Sequence, residues 1–181
     1  MEVMQNLYKE TMKGIINRQA ERLYKVLNLS PGFSTDKVVT DLGGEIVHVK
    51  EVEDNADAQI TPNEEGNSFR ILCVNKEIDE EYVRLAVAHE LGHLFLHMSK
   101  ITDSGKYVIE GTYAHKNISS SMVEWEAEEF ALAFLMPENV FINAVEEAEG
   151  NEKIVDKIQW LADEFKVPFK SVIVRRKSLG I

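Results

Sequence analysis

The segment Ala88-His89-Glu90-Leu91-Gly92-His93 places two histidines four residues apart, with a glutamate directly after the first. On a helix that advances about 100° per residue, His89 and His93 project from one face a turn apart, and Glu90 lies to one side. Two imidazole nitrogens so placed can both reach one zinc ion at about 2.0–2.1 Å. Zinc lowers the pKa of a bound water to about 7, and the intervening carboxylate is placed to take its proton. The neighbours sharpen this reading. Between Leu85 and Leu96 the other residues are Leu, Ala, Val, Gly and Phe, so the helix is apolar nearly all round apart from the His89, Glu90, His93 stripe. A helix of that kind is expected to be buried, where ionisable groups are costly unless paired or bound to a metal.

A hydrolytic zinc takes three protein ligands and keeps one position open. The candidates for the third are His97, His115, Glu124, Glu126, Glu128 and Glu129. On a helical wheel of the segment MVEWEAEEFALAFLM, the apolar arc of Val123, Ala127, Phe130, Ala131, Phe134 and Leu135 contains Glu124. Glu128 falls just past the edge of that arc, where it can accept a hydrogen bond from a ligating histidine. Glu126 and Glu129 face away and are expected to be solvated. His97 lies one turn beyond His93, too far along the axis to share a metal with both histidines, and is expected to cap the helix or support a ligand. His115 and Tyr113, with Tyr107, sit in an irregular stretch where a donor can stabilise the oxyanion of a tetrahedral intermediate.

The elements that must position these groups are readable from periodicity and breakers. Residues 3–28 carry Leu7, Ile15, Leu23, Val26 and Leu27 among charges without proline and predict a helix, ended by Asn28 and the Ser-Pro-Gly turn. Ser34, Thr35 and Asp36 offer N-caps to a short helix over KVVTDL, which Gly43-Gly44 stops. EIVHVKEV, DAQIT and SFRILCVN read as three strands, the last two joined by the turn-rich PNEEGN. The histidine-bearing helix opens at Asp79, its acidic first turn favoured by the helix dipole. Residues 99–121 lose all periodicity and predict a long loop with one short strand at KYVIEG. A second long helix runs to Pro137, another follows to Glu149, and the chain closes with two helices around Val167-Pro168. The expected fold is α+β and zincin-like: a small mixed or antiparallel sheet of about three strands packed on the HExxH helix, mostly helical elsewhere.

Two stretches together, FRILCVNKEIDEEYVRLAVAHELGHLFLH and SSMVEWEAEEFALAFLMP, resemble the ImmA/IrrE-type metallopeptidases of bacteria, their phages and mobile elements. The resemblance covers about residues 68–137 and rests on AHELGHxxLH followed by E-x-x-A-N/D-x-F-A-x-x-L-L-M-P. It implies that His89 and His93 are metal ligands, Glu90 the general base and Glu124 the third ligand. It implies one Zn2+ per chain, although the same donors accept Mn2+. It also implies an intracellular protease that cleaves a helix-turn-helix transcriptional repressor and so relieves repression. The chain departs from the pattern at Glu128, where Asn or Asp is usual, and at Phe134, where Leu is usual. The segment ADEFKVPFKSVIVRRKSLGI is similar to the helix-turn-helix-like end of many members. The expected division is therefore a metallopeptidase domain over 1–150 and a helical appendage over 151–181.

Composition narrows the alternatives. With 20 Lys and Arg against 31 Asp and Glu, the net charge is −11, which repels phosphate backbones, so direct nucleic-acid binding is not expected despite Lys166, Lys170, Arg175, Arg176 and Lys177. No apolar run approaches a membrane span, and the single cysteine, Cys73, reads as a buried strand residue in a reducing compartment. The expected setting is the cytoplasm, without membrane contact. A rival reading is a metal-containing regulator that sequesters or remodels a repressor with little proteolysis. A purely structural zinc is disfavoured because His, His and Glu leave one coordination position open.

Overall fold

The structure, a computed structural model, describes residues 2–52, 56–74, 79–98 and 120–181. The elements appear in the order α1 (Glu2–Val26), α2 (Thr35–Asp41), β1 (Glu45–Val49), β2 (Ala58–Pro62), β3 (Phe69–Val74), α3 (Glu80–Leu96), α4 (Ser120–Leu135), α5 (Glu138–Gly150), α6 (Lys157–Phe165) and α7 (Phe169–Leu179). The fold class is α+β, mostly helical, with a three-stranded mixed sheet. The stretch 99–119, including the expected strand at KYVIEG and the residues Tyr107, Tyr113 and His115, lies outside the described residues.

The chain groups into two compact units, one of residues 34–128 and one of residues 1–33 with 129–181, so the division falls within α4. Helices α5, α6 and α7 share a unit with α1.

In the first unit the strands are ordered β1-β3-β2. Central β3 pairs in parallel with β1, Ile71 opposite Ile46, and antiparallel with β2, Ile71 opposite Ile60. Alternation decides which face turns inward: Phe69, Ile71 and Cys73 are buried, and α3 packs against β2 and β3. Each such fully buried side chain contributes about 1.5–3 kcal/mol. The turn between β2 and β3 is closed by Asn63, whose Oδ1 accepts from the backbone N–H of Asn67 and Ser68. Ser34 caps α2 by accepting from Lys37 N–H at 3.2 Å.

The second unit is helical. Phe134, Phe141, Phe165, Leu161 and Val172 form its core, with Phe33 set edge-on between Tyr24 and Phe134. Asp156 caps α6 through Gln159 N–H, and Lys166 in the left-handed conformation ends that helix ahead of α7. Within this apolar core sits one polar group of three side chains. Arg175 Nη1 donates to Asn17 Oδ1 at 2.8 Å, Arg175 Nε donates to the Met136 carbonyl at 3.0 Å, and Asn17 Nδ2 donates to Glu129 Oε1 at 2.7 Å.

Candidate metal centre

The chemistry-bearing stripe lies on α3, and its partner glutamate lies on α4. The approach of the two helices is set by Gly92: a Cβ there would meet the Ala127 carbonyl oxygen at 2.9 Å and the Ala127 Cα at 3.0 Å. Only hydrogen fits between the backbones at that point. Ala127 is three residues after Glu124 and Gly92 is one before His93, so the contact brings the Glu124 carboxylate up to the histidine face.

Three ligand-competent side chains converge there. His89 Nε2 and His93 Nε2 are 3.0 Å apart, His89 Nε2 is 3.2 Å from Glu124 Oε2, and His93 Nε2 is 3.6 Å from Glu124 Oε1. A tetrahedral ion with arms of about 2.1 Å spaces its ligand atoms by about 3.4 Å, so these separations fit a single divalent metal of the zinc type. The donor set fits as well, since two neutral imidazoles and a carboxylate leave a fourth position open. Burial, helped by neighbouring His89 and His97, pushes the His93 pKa down to about 3, which keeps its ring neutral and its lone pair available. Glu124 is the solvent-facing member, its side chain 54% exposed, which leaves that side of the cluster accessible.

Glu90 is held differently from the other three. Its side chain turns under the sheet, where Oε2 accepts the backbone N–H of Ile60 on β2 at 2.8 Å. Burial raises its pKa to about 7, a shift that the Ile60 N–H opposes and the Glu124 charge reinforces. A carboxyl tuned to neutrality both takes and returns a proton at physiological pH.

The remaining candidates separate cleanly. His97 is the C-cap of α3 and is buried; its Nδ1 lies 3.0 Å from His93 Nδ1 and its Nε2 lies 2.9 Å from Glu126 Oε2. Glu126 is therefore buried rather than solvated, because a histidine satisfies it. Glu129 is also buried, with Asn17 as its donor. Glu128, the expected hydrogen-bond partner of a ligand, is exposed. The sequence reading missed Glu126 and the Ile60 N–H. Glu126 stands among Glu124, Glu128 and Glu129 in a charge-rich stretch that reads as a solvated face, and a backbone donor leaves no mark in a sequence.

Comparison with known proteins bears on the whole of this arrangement. The family model described as Peptidase_M78, the IrrE N-terminal-like domain, matches residues 40–177. No curated protein matches the chain at a significant level. Among solved structures, a Mycobacterium tuberculosis transcriptional regulator is similar in fold, with a TM-score of 0.58 at 19% sequence identity. The alignment covers 90% of this chain and 46% of the regulator, so the chain spans a little under half of that protein's length.

Proposed function

Because the chain belongs to the Peptidase_M78 family of IrrE N-terminal-like domains, we propose that it is a zinc-dependent peptidase that hydrolyses a peptide bond in a helix-turn-helix transcriptional repressor and thereby relieves repression. The observation that carries the chemistry is the convergence of His89 Nε2, His93 Nε2 and the Glu124 carboxylate, with the Glu90 carboxyl on the adjoining helix position. His89, His93 and Glu124 would hold the metal. When bound, the metal polarises the scissile carbonyl and acidifies a water.

The chain's own residues supply the rest. Glu90 is the general base: Ile60 N–H holds Oε2, which leaves Oε1 to take the proton of the attacking water. The same carboxyl then hands that proton to the departing amine, a return step that a pKa near 7 permits. Burial of His93 keeps its imidazole unprotonated, so a ligand is not lost to a proton at neutral pH. Support for a regulatory substrate comes from the family resemblance and from the fold shared with a transcriptional regulator. Among the described residues no helix is long and apolar enough to cross a membrane.

The test combines metal analysis of purified protein with incubation against helix-turn-helix repressors of the same organism, wild type next to Glu90→Gln. Stoichiometric zinc in both proteins and cleavage by the wild type alone is the expected result. Cleavage by Glu90→Gln at the wild-type rate overturns the mechanism, and regulation by a variant that cannot cleave favours sequestration of the repressor instead.

A further inference from the structure

Behind the metal-facing side of His93 runs a second chain of contacts. His93 turns Nε2 toward His89 and Glu124 and Nδ1 toward His97 Nδ1 at 3.0 Å. His97 in turn sets Nε2 against Glu126 Oε2 at 2.9 Å. The His97 and Glu126 side chains are 2% and 5% exposed, so water does not compete for these contacts.

The polarity of this chain follows from proton counting. A neutral imidazole has one N–H and one lone pair. For His93 to offer a lone pair at Nε2, its proton must sit on Nδ1 and be donated to His97 Nδ1. His97 then carries its own proton on Nε2 and donates it to Glu126. The reverse order puts a proton on His93 Nε2, where it blocks ligation, and sets the bare His97 Nε2 against a carboxylate oxygen. Two acceptors facing each other in a buried site are strongly unfavourable. Glu126 therefore selects the order that arms His93.

We propose that Glu126 and His97 are positioning residues whose buried hydrogen-bond relay fixes the Nδ1–H tautomer and the ring plane of His93 and so aims its Nε2 at the metal. The inference rests on the metal-site reading above but is tested separately from it. In metal-free protein, 15N NMR of the imidazoles reads the His93 tautomer directly, and chelator competition reads the zinc dissociation constant. The wild type should show Nδ1–H on His93. His97→Phe keeps the ring volume and removes both nitrogens; it should shift His93 toward Nε2–H and weaken zinc binding about ten- to hundredfold. Glu126→Gln keeps an acceptor oxygen but loses the charge, and should weaken zinc binding several-fold. Amide dispersion in the same spectra verifies that each variant is folded; if His97→Phe is not, Glu126→Gln carries the test alone. Folded variants with the wild-type tautomer and wild-type zinc affinity overturn the relay. A wild type with the Nδ1–H tautomer that binds no zinc overturns the metal reading and, with it, the relay's purpose.

Discussion

The backbone N–H of Ile60 donates to Glu90 Oε2 at 2.8 Å, tying edge strand β2 to the carboxyl that serves as base in the proposed reaction. The donor is not used by the sheet ladder, so a proline at this position removes the bond without removing a strand pairing. Ile60→Pro should fold and bind metal, while the freed carboxyl loses its fixed orientation. A hydrogen bond to a charged group contributes about 1.5–3 kcal/mol, so kcat should fall about ten- to hundredfold with the substrate KM little changed. Unchanged kcat in a folded Ile60→Pro protein counts against the orienting role.

Gly92 has an opposite expectation from helix propensity and from packing. Alanine in a helix interior gains about 1 kcal/mol over glycine. The added Cβ, however, would stand 2.9 Å from the Ala127 carbonyl oxygen, and backbone cannot rotate aside as a side chain can. Overpacking of that kind typically destabilises by about 1–3 kcal/mol. Gly92→Ala should therefore lower the melting temperature, and by pushing α4 away it should weaken zinc binding through Glu124. A Gly92→Ala protein that melts higher than the wild type would show that the helices separate freely.

Much of this architecture was legible in the sequence because it follows from short-range rules. Strand alternation, Ser34 as a cap, Pro137 as a stop and the i, i+4 histidines all depend on neighbours within a few residues. The helical wheel also favoured Glu124 among the carboxylates. The same wheel sent Glu126 and Glu129 to solvent because both lie well outside the apolar arc, yet both are buried. Their burial depends on His97, 29 residues away, and on Asn17, 112 residues away. The wheel also overstated the burial of α3, since Phe95 is 40% exposed.

Cys73 on β3 offers a pH-dependent readout away from the ligand cluster. Burial pushes its pKa up to about 11, with Asp36 and Glu90 adding to the shift. An acid whose folded pKa is raised stabilises the folded state fully below its unfolded value. That contribution is lost as pH rises from 9.0, where the thiol of the unfolded chain titrates, toward about 11 in the folded one. Thermal stability of Cys73→Ser relative to the wild type should thus improve as pH is raised from 8 to 10. At pH 8 the thiol should label with a maleimide only on unfolding, and rapid labelling of native protein would contradict its burial.

Arg175 is the most deeply buried charge described, with its side chain fully inaccessible and its Nη2 without a hydrogen-bond partner among the described residues. Burial pulls its pKa below the usual guanidinium value, while Glu129, Glu138 and Glu21 push back. Its role is to neutralise Glu129, whose Oε1 lies 3.6 Å from Nη1, and to complete Asn17 and the Met136 carbonyl. It is thus one basic residue of the C-terminal helix that is held inside the protein, and Arg176 beside it pairs with Glu149 at 2.9 Å. Removing one partner of a buried pair typically destabilises by about 3–5 kcal/mol, since the other charge stays behind. Arg175→Met should show a loss of that size in urea unfolding. Replacing both charges by Arg175→Met with Glu129→Gln should recover a large part of it, because the amide can still accept from Asn17 and leaves no bare carboxylate. A double variant no more stable than Arg175→Met would place the cost in lost packing rather than in the stranded charge.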